Sequence, residues 1–120
     1  MNDDLRAAVA ADMPRLKEML ADLVRLPSVS APGHDQDHVR DAAHKIVAIL
    51  EDSGFQNCQL LEVGAGNPAV FGEMPAPAGA PTVLLYAHYD VQPSGPASEW
   101  RTAPLVPVDQ DGRLYGRGSA

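Results

Sequence analysis

The chain has 120 residues, room for one domain at most, and its 9 basic and 16 acidic side chains give a net charge of −7 at pH 7. No basic stripe is visible, so a nucleic-acid partner is excluded, and no apolar run approaches the roughly 20 residues of a membrane span. The acidic N-terminus is unlike a signal peptide, and the single cysteine excludes an internal disulfide framework. These features predict a globular, cytoplasmic protein.

A first amphipathic helix is predicted before residue 26. Asp12 precedes it, Pro14 occupies its first turn, and Leu26-Pro27 ends it, because the residue before a proline is pushed out of the helical region. Residues 2–11 are compatible with a further helical turn or two. The apolar stripe that defines the helix consists of Leu16, Met19, Leu20, Leu23 and Val24.

A second helix is predicted over residues 35–53, after a loop at residues 28–33. Its apolar residues share one face, and Gly54 follows as a left-handed cap. Beyond it the apolar period shortens, which predicts strands at residues 59–63 and 69–73, separated by a turn-rich spacer.

The run Thr-Val-Leu-Leu-Tyr-Ala at residues 82–87 is continuously apolar, as expected for a strand covered on both faces. Residues 106–115 are predicted to form a hairpin around the turn Asp111-Gly112. The fold class is therefore α/β, with two helices followed by a mixed sheet that has a central buried strand. Few segments remain to surround such a strand, so the chain is interpreted as the incomplete first part of a larger α/β domain.

The residues best suited to chemistry follow this run. His88 and Asp90 are two positions apart, and in extended backbone such residues point to the same side. One interpretation makes His88 a metal ligand whose other ring nitrogen is hydrogen-bonded to Asp90. The alternative is a pair of polar residues that cap a strand end. The position favours a site, because open α/β sheets bind ligands at the carboxyl ends of their strands.

Other candidate residues have simpler interpretations. His34 and His38 have the i, i+4 spacing of helical zinc ligands, but they fall at a predicted helix start, where solvated side chains are expected. Trp100 is interpreted as a loop anchor or as the lining of a substrate entrance. Arg117 is interpreted as the partner of a carboxylate, either near a metal or in a structural salt bridge. Cys58 is interpreted as a packing residue.

Three stretches together resemble the dizinc aminopeptidase/deacylase family, a zinc-peptidase family that includes carnosine-type dipeptidases, glutamate carboxypeptidase, aminoacylase and acetylornithine deacetylase. Residues 84–93 contain the run His-Tyr-Asp-Val-Gln-Pro, which is most similar to the dipeptidase branch. Residues 111–118, Asp-Gly-Arg-Leu-Tyr-Gly-Arg-Gly, follow in the usual order and at the usual separation. Residues 23–30 resemble the helix end and Pro-Ser-Val-Ser loop near the start of these enzymes.

The resemblance implies roles for individual residues. His88 matches a histidine that binds one of two zinc ions, with cobalt or manganese as alternative metals, and Asp90 matches the catalytic-site acid that orients it. The segment from Gly116 to Ala120 matches the glycine-rich lead to an aspartate that bridges both metals, which would come next. Residues 1–120 are therefore expected to be the N-terminal portion of a metallopeptidase catalytic domain, without its dimerisation (lid) domain and C-terminal half.

The implied function is zinc-dependent hydrolysis of an amide bond in dipeptides or small peptides, by an enzyme that is a homodimer at full length. An N-acyl amino acid deacylase of the same family is the alternative, and a noncatalytic α/β fragment that associates with another chain is a third possibility. A catalytic zinc site normally has three protein ligands. The 120 residues alone are therefore expected to bind zinc weakly and to be catalytically silent.

Overall fold

The computed structural model describes residues 2–120, which divide into two units. One unit contains the described residues up to Arg25 together with Ser94–Ala120, and the other contains Leu26–Pro93. None of the helices in residues 2–120 is both long enough and apolar enough to cross a membrane.

Helix α1, Asp3–Val24, dominates the first unit. The predicted start near Asp12 is wrong, because the helix begins nine residues earlier (12 − 3 = 9) and includes Pro14 in its interior. Residues 3–13 are rich in alanine and other good helix formers, and two aspartates in the first turn interact favourably with the helix dipole. These local preferences outweigh the backbone hydrogen bond that a proline removes.

The remainder of the first unit is a short 3-10 helix, Ala97–Glu99, and a hairpin of strands β3 (Val108–Gln110) and β4 (Arg113–Tyr115). The strands pair antiparallel, and both residues of the turn between them have positive φ angles, which confirms the predicted hairpin. The Lys17 ammonium of α1 lies 2.6 Å from the Asp109 carboxylate of β3.

The second unit packs helix α2, Asp37–Asp52, against a two-stranded antiparallel sheet of β1 (Gln56–Leu61) and β2 (Ala69–Glu73). The helix and both strands agree with the predicted elements, apart from shifts at their ends, and Gly54 has the expected positive φ of 88°. The buried residues of this unit come mainly from α2 and the preceding loop: Ser28, Val29, Val39, Ala42, Ala43 and Pro68.

The predicted central buried strand at residues 82–87 is wrong. No strand forms there, and its apolar side chains face solvent, with Leu84 and Tyr86 each 89% exposed. An apolar run favours burial, but a strand also needs neighbours for its N–H and C=O groups. Within residues 2–120 the strands form two separate antiparallel pairs, and neither pairs with this segment, so the predicted mixed sheet is also wrong. The two helices and the α/β composition are as predicted.

Candidate metal-binding site

His88 and Asp90 are in contact, as their i, i+2 spacing predicts. The Nδ1 atom of His88 lies 3.0 Å from Oδ1 of Asp90 and 2.9 Å from the backbone carbonyl oxygen of the same residue. Both partners accept hydrogen bonds, so Nδ1 must carry the ring proton in the neutral imidazole. Nε2 therefore keeps its lone pair, and the His88 side chain is 75% exposed. This arrangement is the one that metal-ligating histidines adopt with an outer carboxylate.

The Asp90 carboxylate is held on its other oxygen by Ser30, whose hydroxyl donates to Oδ2 at 2.5 Å. That hydrogen bond is the main reason why the pKa of Asp90 lies below its usual range. Partial burial opposes the shift, and the contact with His88 adds to it. Asp90 is thus an anion at neutral pH, which is the form that accepts the Nδ1 proton of His88.

Tyr89, between these two residues, fastens the segment to its surroundings. Its hydroxyl donates to the Pro68 carbonyl oxygen at 2.5 Å, and its own carbonyl accepts from the Ser28 hydroxyl at 3.2 Å. Burial is the largest cause of the raised pKa of Tyr89, and the nearby Asp90 charge adds to it. The phenol therefore stays protonated and continues to donate.

A cavity of about 460 Å³ opens beside His88 and Asp90. Apolar side chains of α2, β2 and residues 85–87 form much of its wall, and polar groups come from Ser30, Asn67 and residues 88–90. Its lining includes Ser30, Val39, Ile46, Leu50, Asn67, Val70, His88, Tyr89 and Asp90. A mostly apolar cavity with a few converging polar groups is the usual form of a small-molecule site.

Side chains that could bind a metal ion are sparse in the described part of the chain. The exposed Nε2 of His88 is a suitable ligand, but no group of three or more His, Cys, Asp or Glu side chains gathers anywhere in residues 2–120. The His38 ring, at the start of α2, lies 4.0 Å from the Asp35 carboxylate and 3.7 Å from the Asp41 carboxylate. Within residues 2–120 the candidate metal ligand is therefore His88, with the Asp90 carboxylate beside its ring.

Arg117 and Trp100 adopt an arrangement that the sequence analysis missed. The guanidinium lies 5.0 Å from the centre of the indole ring, a cation–π contact, and the Arg117 backbone N–H donates to the Pro104 carbonyl at 2.7 Å. The indole N–H donates to the Ser94 carbonyl at 2.8 Å, so Trp100 anchors its loop. No sequence spacing or charge pattern predicts a cation–π contact between side chains that are 17 positions apart (117 − 100 = 17).

Comparison with known proteins identifies relatives of this chain. Residues 84–120, which include His88, Asp90 and Arg117, match the sequence model of Peptidase family M20/M25/M40. The Cys-Gly metallodipeptidase DUG1 of Candida albicans is 35% identical over 122 residues, covering 88% of this chain and 24% of the relative. A succinyl-diaminopimelate desuccinylase of Xylella fastidiosa is 36% identical, covering 90% of this chain and 26% of the relative.

The fold has a relative among solved structures, the dipeptidase Dug1p from Saccharomyces cerevisiae. The TM-score is 0.80 at 25% sequence identity, over 92% of this chain and 26% of that chain. The chain thus spans about a quarter of the length of the relatives it matches. The resemblance read from the motifs is confirmed, and the chain belongs to Peptidase family M20/M25/M40.

Proposed function

We propose that residues 1–120 form the N-terminal portion of the catalytic domain of a metal-dependent amide hydrolase that acts on dipeptides or small peptides. The observation that carries the proposal is the His88 imidazole, whose Nδ1 proton is held by Asp90 while Nε2 remains available beside a cavity. The relatives named as dipeptidases support the peptide substrate class.

In this proposal, Nε2 of His88 is one ligand of a zinc ion, with a second zinc ion in the complete site and cobalt or manganese as alternatives. When bound, such an ion supplies a Lewis acid that polarises the amide carbonyl. Asp90 holds the Nδ1 proton and fixes the orientation of the ring. The apolar wall of the cavity accommodates a substrate side chain and limits the access of water.

An N-acyl amino acid deacylase is the second candidate, because a relative named as a desuccinylase matches 90% of this chain. Both candidates need the same metal ligand, so the difference lies in the substrate. Parallel assays with Cys-Gly and with an N-succinyl amino acid separate them. Turnover of the dipeptide alone supports the peptidase, and turnover of the acyl substrate alone supports the deacylase. These assays need a protein that supplies the remaining metal ligands. They should therefore be run on any longer product whose coding sequence continues with an aspartate, Lys-Gly and a later Glu-Glu pair.

Zinc is expected to bind the 120-residue chain at His88. The experiment is a zinc titration followed by long-range ¹H–¹⁵N NMR of the four imidazole rings. We expect the Nε2 signal of His88 to move, at an affinity weaker than submicromolar because a single histidine carries the site. His88→Ala abolishes this response, whereas His44→Ala, at an exposed position of α2, leaves it intact. Zinc that perturbs other rings and not His88 would contradict the proposal, and hydrolysis of Cys-Gly by these 120 residues would contradict the expectation that they are catalytically silent.

A further inference from the structure

Three side chains near the cavity form a continuous chain of hydrogen bonds. The Ser30 hydroxyl donates to Oδ2 of Asp90, and Oδ1 of Asp90 accepts the Nδ1 proton of His88. Ser30 is 60 residues distant from Asp90 in sequence, so the fold and not the local chain brings the hydroxyl to the carboxylate. Each oxygen of the carboxylate therefore has its own donor.

The loop that carries Ser30 is fixed to the backbone of the segment that carries His88. Val29 and Val91 form a parallel bridge, and the Val91 N–H donates to the Ser28 carbonyl at 3.0 Å. Ser28 and Val29 are buried. The Gln36 amide donates to the carbonyl of His34 at 2.9 Å and also lies 3.4 Å from that of Val29, so it further ties the loop together. These contacts hold the loop that carries Ser30 in place, as an orienting group requires.

We propose that Ser30 is a positioning residue, whose hydroxyl fixes the Asp90 carboxylate in the rotamer that receives the Nδ1 proton of His88. The Asp90 side chain is 36% exposed, so without a second donor its carboxylate is free to turn toward water. The backbone carbonyl of Asp90 would then be left as the remaining acceptor for Nδ1. That carbonyl is a weaker partner than an ionised carboxylate.

The expected effect of Ser30 on metal affinity at His88 rests on the proposed function. An outer partner that holds a ligand histidine typically contributes 10–100-fold to metal affinity. Ser30 acts one bond further away, so its removal is expected to reduce zinc affinity at His88 by about 10-fold, near the lower end of that range.

The experiment compares the wild-type chain with Ser30→Ala, Ser30→Thr and Ser53→Ala by the same NMR method. The first measurement needs no metal: the populations of the Nδ1–H and Nε2–H forms of neutral His88 at fixed pH. Ser30→Ala should raise the Nε2–H population toward the value found in Asp90→Ala. Ser30→Thr retains a hydroxyl and should restore the wild-type populations. Ser53→Ala is the control, because this exposed serine lies at the end of α2 and is not among the residues that hold the His88 segment.

The second measurement is the zinc titration of the same variants, in which Ser30→Ala alone among the serine variants should bind about 10-fold more weakly. Unchanged tautomer populations in a folded Ser30→Ala chain would overturn the assignment of Ser30. Absence of zinc binding at His88 in the wild type, with the tautomer shift present, would instead overturn the proposed function and leave the positioning role standing. Far-UV circular dichroism verifies that each variant is folded.

Discussion

Replacement of Gly116 by alanine is expected to lower the free energy of unfolding by about 1–3 kcal/mol, the usual cost of overfilling a packed site. A Cβ atom at this position would lie 2.6 Å from Cγ1 of Val24, which is 2% exposed. Valine is stiff about its first side-chain torsion, so Val24 cannot easily rotate away. The Pro104 carbonyl oxygen, 3.5 Å away, limits movement of the glycine segment itself. The close contact therefore has to be relieved by a shift of backbone.

Gly66→Ala is the matched control for this prediction. Its Cβ would meet nothing closer than the Val63 carbonyl oxygen at 3.6 Å, an ordinary contact, and its φ angle is not in the left-handed region. Urea unfolding monitored by circular dichroism should show a lowered midpoint for Gly116→Ala and a midpoint near the wild type for Gly66→Ala. Equal midpoints for the two variants would mean that the contact between Gly116 and Val24 does not constrain the folded chain.

The elements that could be predicted are those specified by local sequence. The periodicity of α2, the alternation in β2 and the turn at Asp111 each act over a few residues, and each is found where it was expected. The contact between His88 and Asp90 belongs to the same class, because the i, i+2 geometry of extended backbone determines it. The identity of the family followed from runs of sequence and needed no coordinates.

The remaining features depend on partners that are distant in sequence. Ser30 contacts Asp90 across 60 residues, and no spacing rule connects a loop serine to a particular carboxylate. Trp100 contacts Arg117 because the intervening loop and hairpin bring the two side chains together. The early start of α1 has a different cause: the helix-forming residues before Pro14 outweigh the helix-breaking effect of the proline.

Side-chain burial is the property that the sequence predicted least well. Two matched substitutions test whether one position is buried and the other exposed, as in the structure. Val39 lies on α2 and is 1% exposed, whereas Leu84 lies in the apolar run and is 89% exposed. An uncompensated charge in the interior costs about 3–5 kcal/mol, so Val39→Asp should lose that much stability or fail to fold. Val39→Ala, which only removes apolar contacts, should lose about 2 kcal/mol and remain measurable.

Leu84→Asp introduces the same charge at a position that the structure leaves in solvent, and surface substitutions usually change stability by within about 0.5 kcal/mol. Urea unfolding of the three variants at low protein concentration measures the difference directly. A loss at Leu84→Asp that matches the loss at Val39→Asp would mean that the run at residues 82–87 is covered in solution. The buried strand predicted from its composition would then be correct, and the cover would have to come from a second chain, since the described strands of this one do not pair with the segment.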